Sequence, residues 1–163
     1  MLIDIQSLQE TDLFAQRVAQ HIDPPMCIAL NGTLGSGKTQ FSRSLATALG
    51  IEGQLVTSPT YVLHQLYHSS TFTIHHFDFY RLESIAQVWD LGIEELYEQH
   101  VLVIIEWASK FPDALPDDML TLDFSQPIPQ QESRSSDTTR EVRVGFCGPK
   151  SSALYDAISN HPN

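Results

Sequence analysis

The stretch MCIALNGTLGSGKT, residues 26–39, decides the fold of this chain. Residues 26–30 are all apolar, which predicts a short strand buried on both faces. Residues 32–39 match the pattern G-x-x-x-x-G-K-[ST] in full, and apolar residues at helical spacing continue to Leu49, just before Gly50. A strand, a glycine-rich turn and a helix in this order predict a phosphate-binding loop.

Each part of this loop has a chemical reason. Glycines allow a tight turn in which several backbone N–H groups face one anion, and the following helix presents its positive dipole end. The Lys38 ammonium can reach the β- and γ-phosphates of a nucleotide, and the Thr39 hydroxyl can ligate Mg²⁺. The predicted nucleotide-binding residues of this segment are Gly32, Thr33, Leu34, Gly35, Ser36, Gly37, Lys38, Thr39 and Gln40.

The sequence also bears on which nucleotide binds. A GTPase of the Ras type normally carries Asn-Lys-x-Asp, which recognises guanine. The chain has three asparagines, Asn31, Asn160 and Asn163, and none of them precedes a lysine. We therefore expect ATP as the ligand and ADP as the product of its hydrolysis.

Two acidic residues each follow a predicted strand and are candidates for a metal site. The apolar segment 101–105 ends in Glu106, which is the form of a Walker B strand, and the segment 74–77 ends in Asp78. A nucleotide–Mg²⁺ site usually needs an acid at the carboxyl end of a strand beside the phosphate loop. Either carboxylate could bind Mg²⁺, directly or through water, while the other positions the attacking water.

The other segments complete an α/β pattern. Helical spacing runs from Thr11 to Ile22, with Thr11 or Asp12 as the N-cap, and residues 61–67 and 72–79 predict a hairpin. The remaining predictions are two helical pieces between 83 and 100 broken at Gly92, outer strands at 119–124 and 141–146, a polar loop at about 125–139, and a short helix from Ser151. This order predicts one three-layer α/β domain of the P-loop NTPase class, with a mixed, mostly parallel sheet.

Composition and charge argue against several classes of function. With 9 basic and 20 acidic residues the net charge is −11, which disfavours direct binding to DNA or RNA, because such binding depends on Lys and Arg contacts to phosphate. No apolar run approaches the length of a membrane span, and the first ten residues lack a signal-peptide pattern. Two distant cysteines, Cys27 and Cys147, are interpreted as small buried apolar residues in a cytoplasmic protein.

Several short motifs follow the phosphate loop along the chain. They are Ser58-Pro59-Thr60, HFDFYRL at 76–82, LGIEE at 91–95, IEW at 105–107 and Leu115-Pro116. In this combination the chain resembles the TsaE family of YjeE-type ATPases, which bacteria need to make threonylcarbamoyladenosine in tRNA. The resemblance covers about residues 10–124 and the last strand, and it implies a P-loop α/β fold.

The resemblance implies roles for individual residues. Lys38 and Thr39 keep their phosphate and Mg²⁺ roles. Glu106 would be a metal ligand, and Asp78 would be the second acid, needed for hydrolysis. Thr60 would belong to a segment that responds to the nucleotide.

Other positions carry two interpretations each. Trp107 would lie close to the nucleotide in the family, whereas an aromatic residue at a strand exit more often packs in the core. Thr11 sits where the family often has a threonine near the nucleotide, and it serves equally well as a helix cap. Thr33 stands where the family commonly has Asp. His75 and His76 are expected on opposite faces of a strand, so they do not share a metal ion.

The resemblance also implies a partner, the TsaB–TsaD complex, in which TsaD transfers the threonylcarbamoyl group to adenosine 37 of tRNA. The chain would hydrolyse ATP to support repeated turnover and would meet tRNA only indirectly. Two alternatives stay open. A small-molecule kinase would use the same loop, with Arg81 and the stretch 134–143 as its basic lid candidates. A nucleotide-sensing module would bind ATP without turnover.

Overall fold

The computed structural model describes residues 1–53, 56–126 and 139–160, and these contain seven strands and four α-helices. The strands are β1 Leu2–Ile5, β2 Met26–Gly32, β3 His64–His68, β4 Thr73–Asp78, β5 Val101–Glu106, β6 Met119–Ser125 and β7 Arg140–Cys147. The helices are α1 Leu8–Ala19, α2 Lys38–Ala48, α3 Ile85–Trp89 and α4 Pro149–Ser159, and short 3₁₀ turns cover Glu94–Leu96, Ala108–Lys110 and Pro112–Ala114.

All seven strands belong to one sheet in the order β1-β7-β6-β2-β5-β4-β3. The four strands β6, β2, β5 and β4 pair in parallel, whereas β1 with β7, β7 with β6, and β3 with β4 pair antiparallel. Five strands therefore run in one direction, since only β7 and β3 are reversed. The prediction of a mixed, mostly parallel sheet is confirmed.

Two apolar layers cover the sheet, one on each face. Phe14 of α1, Phe41 of α2 and Leu154 of α4 pack against one face in a cluster with Ile28. On the other face, Val88 of α3 and residues of the 3₁₀ turns pack with Ala29 of the same strand. Because alternate residues of β2 join opposite clusters, β2 is buried on both faces, and the three-layer prediction is confirmed.

The first helix begins earlier than its predicted start. Its N-cap is Ser7, whose hydroxyl accepts a hydrogen bond from the Glu10 amide at 3.2 Å, while the Glu10 carboxylate accepts one from the Gln6 amide at 2.7 Å. The prediction of Thr11 or Asp12 as N-cap is therefore wrong. The cue was the Ser-x-x-Glu spacing of residues 7–10, typical of a capping box.

The sheet edges also differ from the prediction. β6 and β7 were expected as outer strands, but the edges are β3 and the unpredicted β1. Cys147, expected to be buried, is exposed at the end of β7, whereas Cys27 is buried as predicted. The helical stretch after residue 83 reduces to α3 and one 3₁₀ turn, separated by Gly92 at φ +68°.

The last two features of the fold are the predicted polar loop and the lengths of the helices. Most of the predicted polar loop at 125–139 lies outside the described residues, and Ser125 itself ends β6. Within the described chain, every helix is too short or too polar to cross a membrane.

Candidate functional site

The carboxyl ends of β2, β4 and β5 meet at one edge of the sheet. The phosphate loop follows β2, Asp78 ends β4 and Glu106 ends β5, and the strand register places Glu106 opposite both Asp78 and Leu30. A cavity of about 240 Å³ opens here. It is lined by Leu34, Gly35, Ser36, Gly37, Lys38, Thr39, Gln40, Ser58, Thr60, Asp78, Glu106 and Trp107.

The loop conformation depends on glycine at its first position. Gly32 has φ +131°, and a Cβ there would lie 2.3 Å from the Phe124 carbonyl oxygen and 2.7 Å from Ser36 Oγ. Gly37 is the N-cap of α2 at φ 112°, and no side chain caps this helix. The first amides of α2 are therefore available to an anion, which the positive end of the helix dipole favours.

Lys38 is held inside the loop, with only 4% of its surface exposed. Its Nζ donates hydrogen bonds to the carbonyl oxygens of Gly32 at 2.8 Å and Thr33 at 2.9 Å, and it lies 4.1 Å from the Trp107 ring centroid. Burial lowers the pKa of Lys38, while the negative charges of Glu106 and Asp78 act in the opposite direction. The loop thus holds a cation beside two carboxylates.

Both carboxylates are buried and hydrogen-bonded, but to different partners. Glu106 accepts from the Thr39 hydroxyl at Oε2, at 2.8 Å, and contacts His76 Nε2 at Oε1, at 2.9 Å. Asp78 accepts from the Thr60 hydroxyl at Oδ2 and from the Tyr80 amide at Oδ1. Glu106 is therefore tied to the phosphate-loop helix, whereas Asp78 is tied to the segment that precedes β3.

The donor set fits Mg²⁺. Thr39, Glu106 and Asp78 offer hard oxygen donors, which Mg²⁺ prefers, and Mg²⁺ commonly takes one or two carboxylates with phosphate and water oxygens as its other ligands. The described residues contain no group of three or more His, Cys, Asp and Glu side chains that could hold a metal by themselves.

Comparison of the sequence with known proteins identifies the family of this chain. The model of the family described as "Threonylcarbamoyl adenosine biosynthesis protein TsaE" matches residues 5–135. The chain belongs to the TsaE family. The similarity extends further along the chain than the motifs that suggested it.

Relatives within the family are 30–41% identical to this chain. A Bacillus subtilis protein named tRNA threonylcarbamoyladenosine biosynthesis protein TsaE is 30% identical, covering 95% of this chain and 91% of its own length. The Rickettsia felis protein of that name is 41% identical over 66% of this chain and 62% of its length. The Rickettsia conorii protein is 40% identical over 64% and 59%.

The fold has a solved counterpart. The crystal structure of Bacillus subtilis YdiB superposes with a TM-score of 0.81, covering 100% of this chain and 96% of that one, at 24% sequence identity. At this identity the likeness supports the fold.

Most of the residues predicted for nucleotide binding lie together. Residues 34–40, Thr60 and Trp107 line the cavity, and the carbonyls of Gly32 and Thr33 hold Lys38. Thr11 is not among the lining residues: it is buried in the first turn of α1, and its hydroxyl donates to the Ser7 carbonyl at 3.3 Å. Its contribution to nucleotide binding stays a prediction.

Sequence reasoning missed two side chains that organise the site. His76 is fully buried and contacts Glu106. The sequence offers one sign of this position: His76 and Asp78 are two residues apart in a strand, so their side chains lie on the same face. Asn31 bridges the ends of two elements, donating to Asp123 at 2.8 Å and accepting from the Ser109 amide at 2.7 Å. No local pattern announces this second role, because Asp123 and Ser109 are distant in sequence.

Arg81, a candidate for the basic lid of a kinase, lies outside this cavity. Its guanidinium sits over the Tyr61 ring, 4.9 Å from the centroid, and neither residue lines the cavity around the phosphate loop.

Proposed function

We propose that this protein binds and hydrolyses ATP as an accessory factor in tRNA threonylcarbamoyladenosine modification, acting with the TsaB–TsaD complex. One observation carries the proposal. A phosphate loop with Lys38 and Thr39 opens into the same cavity as two buried carboxylates, Asp78 and Glu106, which are the groups that ATP hydrolysis requires. Membership of the TsaE family supports the tRNA-modification role.

Each group has a defined task in this proposal. The Lys38 ammonium, now bonded to two loop carbonyls, would instead bond phosphate oxygens, since charge-assisted bonds to phosphate are stronger. Thr39 and Glu106 would hold Mg²⁺, which neutralises charge on the phosphates. Asp78 would accept a proton from, or orient, the attacking water. Asp78 Oδ2 and the Thr60 hydroxyl, which donates to it, would respond to the presence of the γ-phosphate of ATP.

An accessory role fits the charge of the chain. With a net charge of −11 it is poorly suited to hold tRNA, so contact with tRNA would be made by the partner complex. In this proposal TsaD performs the threonylcarbamoyl transfer, and ATP hydrolysis by the present chain supports repeated turnover in the cytoplasm.

The test is ATP hydrolysis by the pure protein, alone and after addition of TsaB and TsaD from the same organism. We expect the rate to rise on mixing and to be abolished by Lys38→Ala, which removes the charge facing the phosphates. Lys150→Ala is the matched control, because Lys150 lies at the opposite end of the sheet beside the Pro25 carbonyl.

Three results would contradict the proposal. Normal ATP affinity in Lys38→Ala would refute the assignment of the phosphate loop. Tight ATP binding and partner recruitment without hydrolysis would favour a sensing module. ADP formed only when a metabolite is added, with no effect of TsaB and TsaD, would favour a small-molecule kinase.

A further inference from the structure

The side chain of His76 faces the site from inside the sheet. It is completely buried in β4, and its partner in the strand register is Ile104, two residues before Glu106. Because alternate residues of a strand share a face, His76 lies on the same face as Asp78 and below it. From this position its ring reaches Glu106 Oε1 at 2.9 Å.

This contact completes the support of the Glu106 carboxylate. Thr39 donates to one oxygen and His76 to the other, so neither oxygen is left without a partner. An ionised carboxylate only accepts hydrogen bonds, so with Glu106 ionised the shared hydrogen is on His76 Nε2. The other ring nitrogen, Nδ1, is buried and has no hydrogen-bond partner among the described residues. The imidazole therefore makes a single directed bond, and that bond goes to Glu106.

We propose that His76 is a positioning residue for Glu106. It fixes Oε1, so that Oε2 stays beside Thr39 where a nucleotide-bound Mg²⁺ would be held. This inference rests on the proposed function, since it assigns a task only if Glu106 helps to hold the ion. A glutamate side chain has three rotatable bonds, and a partner that restrains it lowers the cost of ordering it on metal binding.

The consequence is specific to the metal. Without the His76 bond, Glu106 can turn away from Thr39, and the Mg²⁺-dependent part of nucleotide binding weakens. Binding without metal uses the loop amides and Lys38, whose ammonium contacts Gly32, Thr33, Ser36 and Trp107. That part of the affinity does not depend on His76.

The experiment compares His76→Leu with His76→Gln. Leucine removes the donor, while the glutamine amide N–H takes the place of Nε2–H and can restore the bond. Affinity for a fluorescent ATP analogue is measured across a Mg²⁺ titration and again in EDTA. His75→Leu is the matched control, because the adjacent side chain faces the other side of the strand and bonds His64 instead.

We expect His76→Leu to raise the half-saturating Mg²⁺ concentration about tenfold or more, the usual effect of losing such an outer partner. Its affinity in EDTA should stay within about twofold of wild type, a limit that a general structural loss would exceed. His76→Gln should return the Mg²⁺ requirement close to wild type, and His75→Leu should not change it.

Urea unfolding of the nucleotide-free protein identifies a variant that fails to fold. If His76→Leu is unfolded, His76→Asn replaces it, since its shorter amide keeps polarity at the position but cannot reach Glu106. Equal losses with and without Mg²⁺, an unchanged Mg²⁺ requirement, or no recovery in His76→Gln would each overturn the inference. A wild-type chain without any Mg²⁺-dependent binding would instead overturn the proposed function, and the inference with it.

Discussion

Asp78 and Glu106 lie side by side in the register, yet their surroundings divide the work between them. Glu106 bonds Thr39, the hydroxyl that the phosphate-loop motif assigns to the metal. Asp78 bonds Thr60, which comes from the segment before β3 and is not part of the phosphate loop. We therefore propose that Glu106 holds the metal and that Asp78 acts on the attacking water, a choice that the spacing of the two acids left open.

This division predicts the effect of Asp78→Asn. The amide keeps the shape of the side chain and can still accept from the Tyr80 amide, so ATP affinity should change by less than about threefold. The rate constant of hydrolysis should fall by about 100-fold or more, because the variant lacks a base for the water.

Single-turnover hydrolysis and calorimetric titration with ATP measure these two quantities separately. Asp117→Asn, a change at an exposed aspartate before β6, serves as the control. An ATP affinity that drops together with the rate would mean that Asp78 binds the metal directly.

At the residue scale, the sequence predicts the roles of those side chains that belong to a contiguous motif. The phosphate loop is contiguous, so its residues could be named from the pattern alone. His76 was harder, because its role depends on Glu106, thirty positions away, and on the pairing of β4 with β5. Thr11 was ambiguous because a hydroxyl at a helix start can serve the backbone or a ligand.

At the element scale, the phosphate loop makes a prediction about its glycines. Gly35→Ala should destabilise the protein by about 1 kcal/mol. The left-handed φ of +75° is unfavourable for alanine, but the added Cβ would meet no atom within 4 Å. Gly32→Ala should cost at least about 2 kcal/mol, since overpacking against the Phe124 carbonyl adds to the same backbone penalty.

Urea unfolding of the two variants without nucleotide measures this difference. The comparison is matched, because both changes add one methyl group to the same loop. Equal destabilisation would show that the strand end after Phe124 moves freely to make room.

The β3–β4 hairpin predicts a dependence of stability on pH. His64 Nε2 and His75 Nδ1 lie 3.0 Å apart, and burial together with the charges of His64 and His68 lowers the pKa of His75 to about 4. Between pH 6.5 and 4 the unfolded chain thus binds more protons at this position than the folded chain, so stability falls as the pH is lowered through this window.

The corresponding variant is His75→Gln, which cannot titrate. We expect the urea midpoint of the wild type to fall more than that of the variant between pH 7.5 and pH 4.5. Parallel midpoints across this range would contradict the lowered pKa of His75.

Elements with strong local patterns were predictable, and those stabilised by distant partners were not. β2 and β5 are central parallel strands, whose burial on both faces produces uninterrupted apolar runs. β1 has only four residues, and its pairing with β7 joins residues between 135 and 141 positions apart. A short edge strand of this kind carries little periodicity of its own.

At the scale of the whole molecule, charge makes the prediction. A chain with 9 basic and 20 acidic residues should not retain tRNA at about 150 mM salt, even at roughly 10 µM protein, since non-specific binding depends on Lys and Arg contacts to phosphate. Electrophoretic mobility shift with labelled tRNA tests this, with the TsaB–TsaD complex as the positive comparison. A micromolar dissociation constant for the isolated chain would contradict an indirect role.

The placement of Trp107 gives the molecule an optical property. Its indole ring, on a residue with φ +59°, lies 4.1 Å from the Lys38 ammonium and 4.8 Å from the Tyr80 ring. Indole emission is sensitive to a nearby charge, so an anion that draws the ammonium off the ring changes the intrinsic fluorescence. The second tryptophan, Trp89, packs against the same apolar layer as Trp107, and its emission would overlap with that of Trp107. In a Trp89→Phe protein, the emission of Trp107 alone would report anion binding at the phosphate loop, without an added dye.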